Sequence, residues 1–176
     1  MTLGCREIRV GLPDSGGDVY QQHQLVWRAM HGRVRAGAHD SFVYLMESPR
    51  VALVRSSHLD VGTFSEMPDG PLWVRLVTIK QRDGRELALD ANQAAEKART
   101  LLQCHGIDVD QLRVERQVVL QGRKEKSGDL VRLPVSEVRF MPRWTNRAQA
   151  QLAWRDGVGR AKRFGCGMLV PAKQVL

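Results

Sequence analysis

Tyr20 and His23 stand three residues apart in the run DVYQQHQ, a spacing that puts both on one face of a helix. An imidazole exchanges protons near neutral pH, and a phenolic hydroxyl hydrogen-bonds a phosphate or orients a ribose hydroxyl. The pair suits proton transfer beside a phosphodiester; a histidine on a half-apolar helix face equally serves packing. A second constellation is DGVGRAKRFGCGML (156–169), where Gly157, Gly159, Gly165 and Gly167 alternate with Arg160, Lys162 and Arg163. Glycines let backbone N–H groups approach a phosphate closely, and the cations supply the charge that holds it. The segment therefore reads as a phosphate-backbone site contacted by Gly157, Gly159, Arg160, Arg163 and Gly165, or as a glycine-rich turn before a last strand. It is neither a Walker loop nor a dinucleotide fingerprint, because Lys162 occupies the third glycine position. A third feature is RKEKSG (123–128), which sets Arg123, Lys124 and Lys126 at a hairpin tip. Such a tip meets a nucleic-acid backbone or simply keeps a turn soluble.

The surrounding chain favours an anionic partner. Twenty-seven Lys and Arg against 19 Asp and Glu give a net charge of +8. Residues 1–88 carry 11 basic and 10 acidic side chains, whereas 89–176 carry 16 and 9, so the polyanion-facing surface is expected mostly in the second half. Cys5, Cys104 and Cys166 are odd in number and far apart, which reads as reduced thiols rather than a disulfide framework or zinc site. His31, His39, His58 and His105 show no ligand spacing and read as structural. No carboxylate pair is read as a two-metal nuclease centre, so any nuclease here is expected to work without metal. Charges at Arg6, Glu7 and Arg9 interrupt any apolar signal segment, and no 18-residue apolar run occurs, so a cytoplasmic protein with no membrane partner is expected.

The elements that must position these residues follow from periodicity. CREIRVGL reads as a strand, and Asp18 as the N-cap of a helix through VYQQHQLVWRAM. SFVYLMES and RVALVRSS are strands, LDVGTFSEM a short helix or a loop, and PLWVRLVTIK a strand ending a β-α-β-β-(α)-β unit. GRELALD then opens a second unit, followed by the helix NQAAEKARTLLQCHG. The strands QLRVERQVVLQG and DLVRLPVSEVRFMP, a helix capped by Asn146, and the strand MLVPA complete it. The expected fold is α+β, two ferredoxin-like βαββαβ units over 1–82 and 83–176, with the glycine-rich loop near the C-terminus.

Together these residues resemble the CasE family, the CRISPR-associated endoribonuclease of type I-E Cascade. DVYQQHQLVW (18–27) resembles the family's D-x-Y-x-x-H-x-x-x-W helix, and GVGRAKRFGCGML (157–169) its G-x-G-x-x-K-x-x-G-C-G-x-L loop. PLWVRL (71–76) is similar more loosely, and the VTIKQRDG that follows departs from the Asn-Pro common there. The resemblance implies two ferredoxin-like domains and a nuclease that cuts CRISPR precursor RNA at the base of each repeat hairpin. It implies attack by a ribose 2′-OH, a 2′,3′-cyclic phosphate and a 5′-OH as products, no metal or small-molecule cofactor, and retention as a subunit among other Cascade proteins. His23 then matches the catalytic histidine, Tyr20 its partner and Lys162 the loop lysine. Two other readings stay open: a non-cleaving RNA-hairpin-binding module, and a structural cap of a ribonucleoprotein. Cleavage in chelator separates the nuclease from the binding module, and for a cap, truncating an apolar surface patch is expected to lose complex assembly while leaving hairpin cutting unchanged.

Overall fold

The computed structural model describes residues 4–34 and 41–172; His39 lies outside them. The first unit runs β1 (Cys5–Gly11), α1 (Val19–Met30), β2 (Val43–Ser48), β3 (Val51–Ser56) and β4 (Thr63–Ser65). It forms an antiparallel sheet of order β2-β3-β1-β4. The second runs β5 (Leu72–Val77), β6 (Ile79–Arg82), β7 (Arg85–Ala88), α2 (Ala91–Gln103), β8 (Ile107–Arg123), β9 (Leu130–Trp144), α3 (Arg147–Asp156), a 3-10 turn at Lys162–Phe164 and β10 (Val170–Pro171). Its sheet has the order β10-β5-β9-β8, again antiparallel. Both orders are those of a ferredoxin-like unit, so the tandem α+β architecture holds.

Three elements depart from the sequence reading, the first being LDVGTFSEM, which holds the strand β4 in place of a short helix or a loop. The strand within PLWVRLVTIK does not close the first sheet: β5 pairs with β9 and β10 as a central strand of the second. Its residues are buried on both faces, as a near-continuous apolar run demands, and the three-residue β4 fills the edge it was expected to occupy. The change of sheet thus falls between Ser65 and Leu72, ahead of the boundary expected at residue 82. GRELALD does not join the second sheet either; β7 pairs only with β6, and its four residues are exposed.

The helices begin where their caps dictate. Asp18 accepts hydrogen bonds from the Tyr20 and Gln21 amides, Asp90 from Gln93, and Asn146 from Gln149. One face of the first sheet packs Val10, Tyr44, Ala52 and Val54 against Val26 and Met30 of α1. In the second, Leu72, Val74, Val138 and Phe140 meet Ala98 and Leu102 of α2 and Ala150 and Trp154 of α3. A third cluster joins the units, with Val43, Leu45 and Leu53 against Trp73, Met168 and Val170. Each Val, Leu, Phe or Met among them, fully withdrawn from water, contributes about 1.5–3 kcal/mol.

A polar clamp fixes the same junction. Arg55 on β3 is wholly buried, donates to Glu7 and to the Trp154 carbonyl, and stacks 3.6 Å above the Trp154 ring. Ser65 Oγ donates to Glu7 at 2.7 Å and accepts from the Trp154 indole at 3.1 Å. Burial lowers the Arg55 pKa, and Glu7 opposes that shift. The C-terminal end of α3, which leads into the glycine-rich segment, is thereby tied to the first sheet.

Candidate functional site

The glycine-rich segment leaves α3 at Gly157 and passes the edge strand β2 to reach α1. Its glycines are required by space and backbone. Gly157 and Gly167 adopt φ of 74° and 79°, and a Cβ on Gly167 would stand 2.1 Å from the Val158 carbonyl oxygen. The segment grips itself: the Gly157 amide donates to Ala153, Val158 to Gly167, Gly165 to Lys162, and Gly167 to Arg75. Those amides are therefore spent inside the protein, and the expected phosphate cradle of Gly157 and Gly165 N–H groups is corrected to an architectural role. What the segment presents is side chains.

Tyr44 secures their position, donating its hydroxyl to the Arg163 carbonyl at 2.8 Å. The Phe164 ring lies 4.8 Å from that of Tyr20 and 6.3 Å from that of His23. Lys162 and Arg163 consequently line the same cleft as His23, a space of about 900 Å³. Its other walls are Ser41, Phe42 and Val43 at the start of β2, Ser57 and His58 after β3, and Arg155 and Asp156 ending α3. His58, read as structural from sequence, is thus a cleft residue. Burial, with the Lys162 charge second, lowers the pKa of His105 from its ordinary value. Burial pushes the Cys166 thiol up to about 12, so this cysteine behaves as a small apolar group.

The remaining expected contacts divide. Arg163 lines the cleft with its guanidinium 4.8 Å from the Phe164 ring, whereas Arg160 turns away, 3.9 Å from Glu86 of β7. Gly159 packs under Leu101 of α2. Arg123 braces the β8–β9 hairpin by donating to the Gly128 carbonyl at 2.8 Å, and Lys124 and Lys126 are exposed at its tip. On the same hairpin, strand register sets Arg113 opposite Arg139, both exposed. Like charges facing across strands repel, and Glu115, 3.8 Å from Arg139, offsets part of that repulsion. Sequence reading passed over the pair, because the facing of these two arginines is set by strand register and not by their spacing along either strand.

It also passed over a D-x-D pair, Asp108 and Asp110 on β8. Hydrogen bonding to Arg143, then to Gln103, lowers the Asp108 pKa to about 2. Among the described residues, no three His, Cys, Asp or Glu side chains cluster as a metal site, and no helix is long and apolar enough to cross a membrane.

No family model matches the sequence, and no curated protein matches it. Solved structures do. CRISPR endoribonuclease Cse3 bound to 19 nt RNA is 18% identical with a TM-score of 0.67, the match covering 95% of this chain and 97% of that one. Cas6e from Escherichia coli K-12 is also 18% identical, with a TM-score of 0.57 over 95% and 97%. A chain of a CRISPR RNA-guided surveillance complex is 13% identical, with a TM-score of 0.65 over 95% and 97%. Across almost its full length, therefore, this chain has the tandem ferredoxin-like fold of those CRISPR structures.

Proposed function

We propose that this protein is an endoribonuclease that cuts CRISPR precursor RNA at the base of the repeat hairpin and remains bound to the product within a Cascade-type complex. One observation carries the reading: His23 of α1 and Lys162 and Arg163 of the glycine-rich segment line a single cleft. The RNA-bound and surveillance-complex structures sharing this fold support it.

In this reading the ribose 2′-oxygen attacks the adjacent phosphorus, the bond to the 5′-oxygen breaks, and the products carry a 2′,3′-cyclic phosphate and a 5′-OH. His23 transfers a proton at the attacking 2′-oxygen or at the leaving 5′-oxygen. Lys162 offsets the extra negative charge of the five-coordinate phosphorus, and Arg163 holds a neighbouring phosphate. Tyr20, against Phe164 at the same end of α1, orients the ribose or phosphate. The exposed Lys124, Lys126, Arg113 and Arg139 bind the RNA backbone. Our reading needs no metal.

Incubating the purified protein with end-labelled RNA hairpins in EDTA, including the repeat of its own locus, tests the reading. A single cut beneath the stem with a cyclic phosphate is expected. Tight binding without a cut would leave a hairpin-binding module, and a cut appearing only on adding a divalent cation would remove the metal-free mechanism.

A further inference from the structure

The carboxylate of Asp18 does two things at once. Oδ1 accepts from the Tyr20 and Gln21 amides at 2.8 and 3.0 Å and so begins α1. Oδ2 accepts from the Arg123 amide at 2.9 Å, 105 positions along the chain at the tip of the β8–β9 hairpin. Asp18 also forms an isolated parallel bridge with Gln121. Between these two links the hairpin touches the helix with no room to spare. A Cβ on Gly122 would come within 2.8 Å of Val19 Cγ2 and 2.9 Å of Tyr20 Cδ2. Gly122 does not have a positive φ, so close approach and not backbone conformation explains the glycine.

A helix cap needs one oxygen, and serine supplies it as well as aspartate does. The second oxygen is not needed to start α1. It joins the helix carrying Tyr20 and His23 to the hairpin whose exposed lysines stand at the other end of Arg123. Tyr20 is then held from two sides, by Gly122 of the hairpin and by the Phe164 ring 4.8 Å away.

We infer that Asp18 is a positioning residue for the cutting reaction, fixing the catalytic helix to the RNA-facing hairpin so that RNA seated on the hairpin meets His23 and Tyr20 in register. The inference rests on the proposed nuclease reading. Asp18 touches no reacting atom in it and acts through Tyr20 and His23. Misplacing a reacting group by an ångström costs about 10²-fold in rate, and that is the scale expected when the tie is cut.

Asp18→Ser keeps one oxygen for the cap and loses the reach to Arg123, while Gly122→Ala pushes hairpin and helix apart with Asp18 intact. Both are measured for single-turnover cleavage at saturating hairpin RNA, for RNA affinity, for melting temperature and for amide hydrogen exchange. Expected in both is a cleavage rate lower by about 10²-fold with affinity within about threefold of wild type. In Asp18→Ser the Arg123 amide exchanges faster while the α1 amides stay protected. Wild-type cleavage rates with the Arg123 amide freed would overturn the positioning role. So would a loss of rate that merely follows the folded fraction, since that marks a structural role. A wild-type protein that cuts no hairpin removes the nuclease reading and the positioning role with it. The exchange measurement identifies that case, because the tie itself would still be seen.

Discussion

The two four-stranded sheets share a strand order, but the second is covered by two helices of its own, α2 and α3, and the first by α1 alone. Where a helix would follow β3, the first unit has a turn through Ser57 and His58, and that turn is a wall of the cleft. On the same sheet the missing cover leaves Phe64 71% exposed, its ring beneath the Arg6 guanidinium at 4.5 Å. The opposite wall comes from the second unit, through the end of α3 and the glycine-rich segment. The cleft is thus walled on one side by the first unit and on the other by its neighbour. In the proposed reaction the proton-transfer groups belong to the first unit and the charge that meets phosphate to the second. Neither unit holds a complete site.

That division is broken most severely at its chemical centre. His23→Ala is expected to slow single-turnover cleavage by about 10²–10⁴-fold while filter binding finds RNA affinity nearly unchanged; equal losses of both would mean that His23 binds rather than transfers protons. Next comes the clamp between the units. Arg55→Met leaves Glu7 without its buried partner and is expected to destabilise the protein by about 3–5 kcal/mol, read as a lower urea midpoint. An unchanged midpoint would show that the units dock without the clamp. Lys162→Gln removes charge from the second unit's side of the cleft, and a rate lower by about 10–10²-fold at saturating RNA is expected. The same substitution sharpens the electrostatic picture. His105 has its pKa held down by burial and then by the Lys162 charge, so its imidazole proton resonances should titrate at higher pH in the variant. Because the folded pKa lies below the unfolded one, this group favours the folded state above about pH 6.5 and loses that contribution as pH falls through its folded value. The smallest effect is expected from Lys124→Ala with Lys126→Ala. The slope of log affinity against log salt should shrink by about 0.7–0.9 for each phosphate that the hairpin no longer neutralises, with the saturated cleavage rate unaltered.

Local chemistry made α1 legible from the sequence: Asp18 caps it, and of Val19, His23, Val26, Trp27 and Met30, which share its helical spacing, Val19, Val26 and Met30 are buried while Trp27 is exposed. β5 was recognisable as a strand but not as a member of the second sheet, because pairing with β9 is decided some 60 positions away and burial on both faces leaves no alternation to read. β7 shows the converse, since GRELALD alternates like a half-buried strand and forms an exposed hairpin arm. The motif glycines stood out, yet their purpose did not, because only the folded loop shows that the Val158 carbonyl lies where a Gly167 Cβ would sit. Arg55 was visible only as one charge within VALVRSS. Its stacking on Trp154 depends on α3 arriving from the far end of the chain.

The bond from the Tyr44 hydroxyl to the Arg163 carbonyl spans 119 positions. During synthesis at ~5–20 residues per second, roughly 6–24 s separate the emergence of these two ends. Throughout that interval a growing chain carries the His23 helix without the lysine and arginine that face it across the cleft. In the proposed reading, a ribosome-bound chain, surrounded by messenger and ribosomal RNA, is therefore held short of a competent centre by the order in which its parts are made.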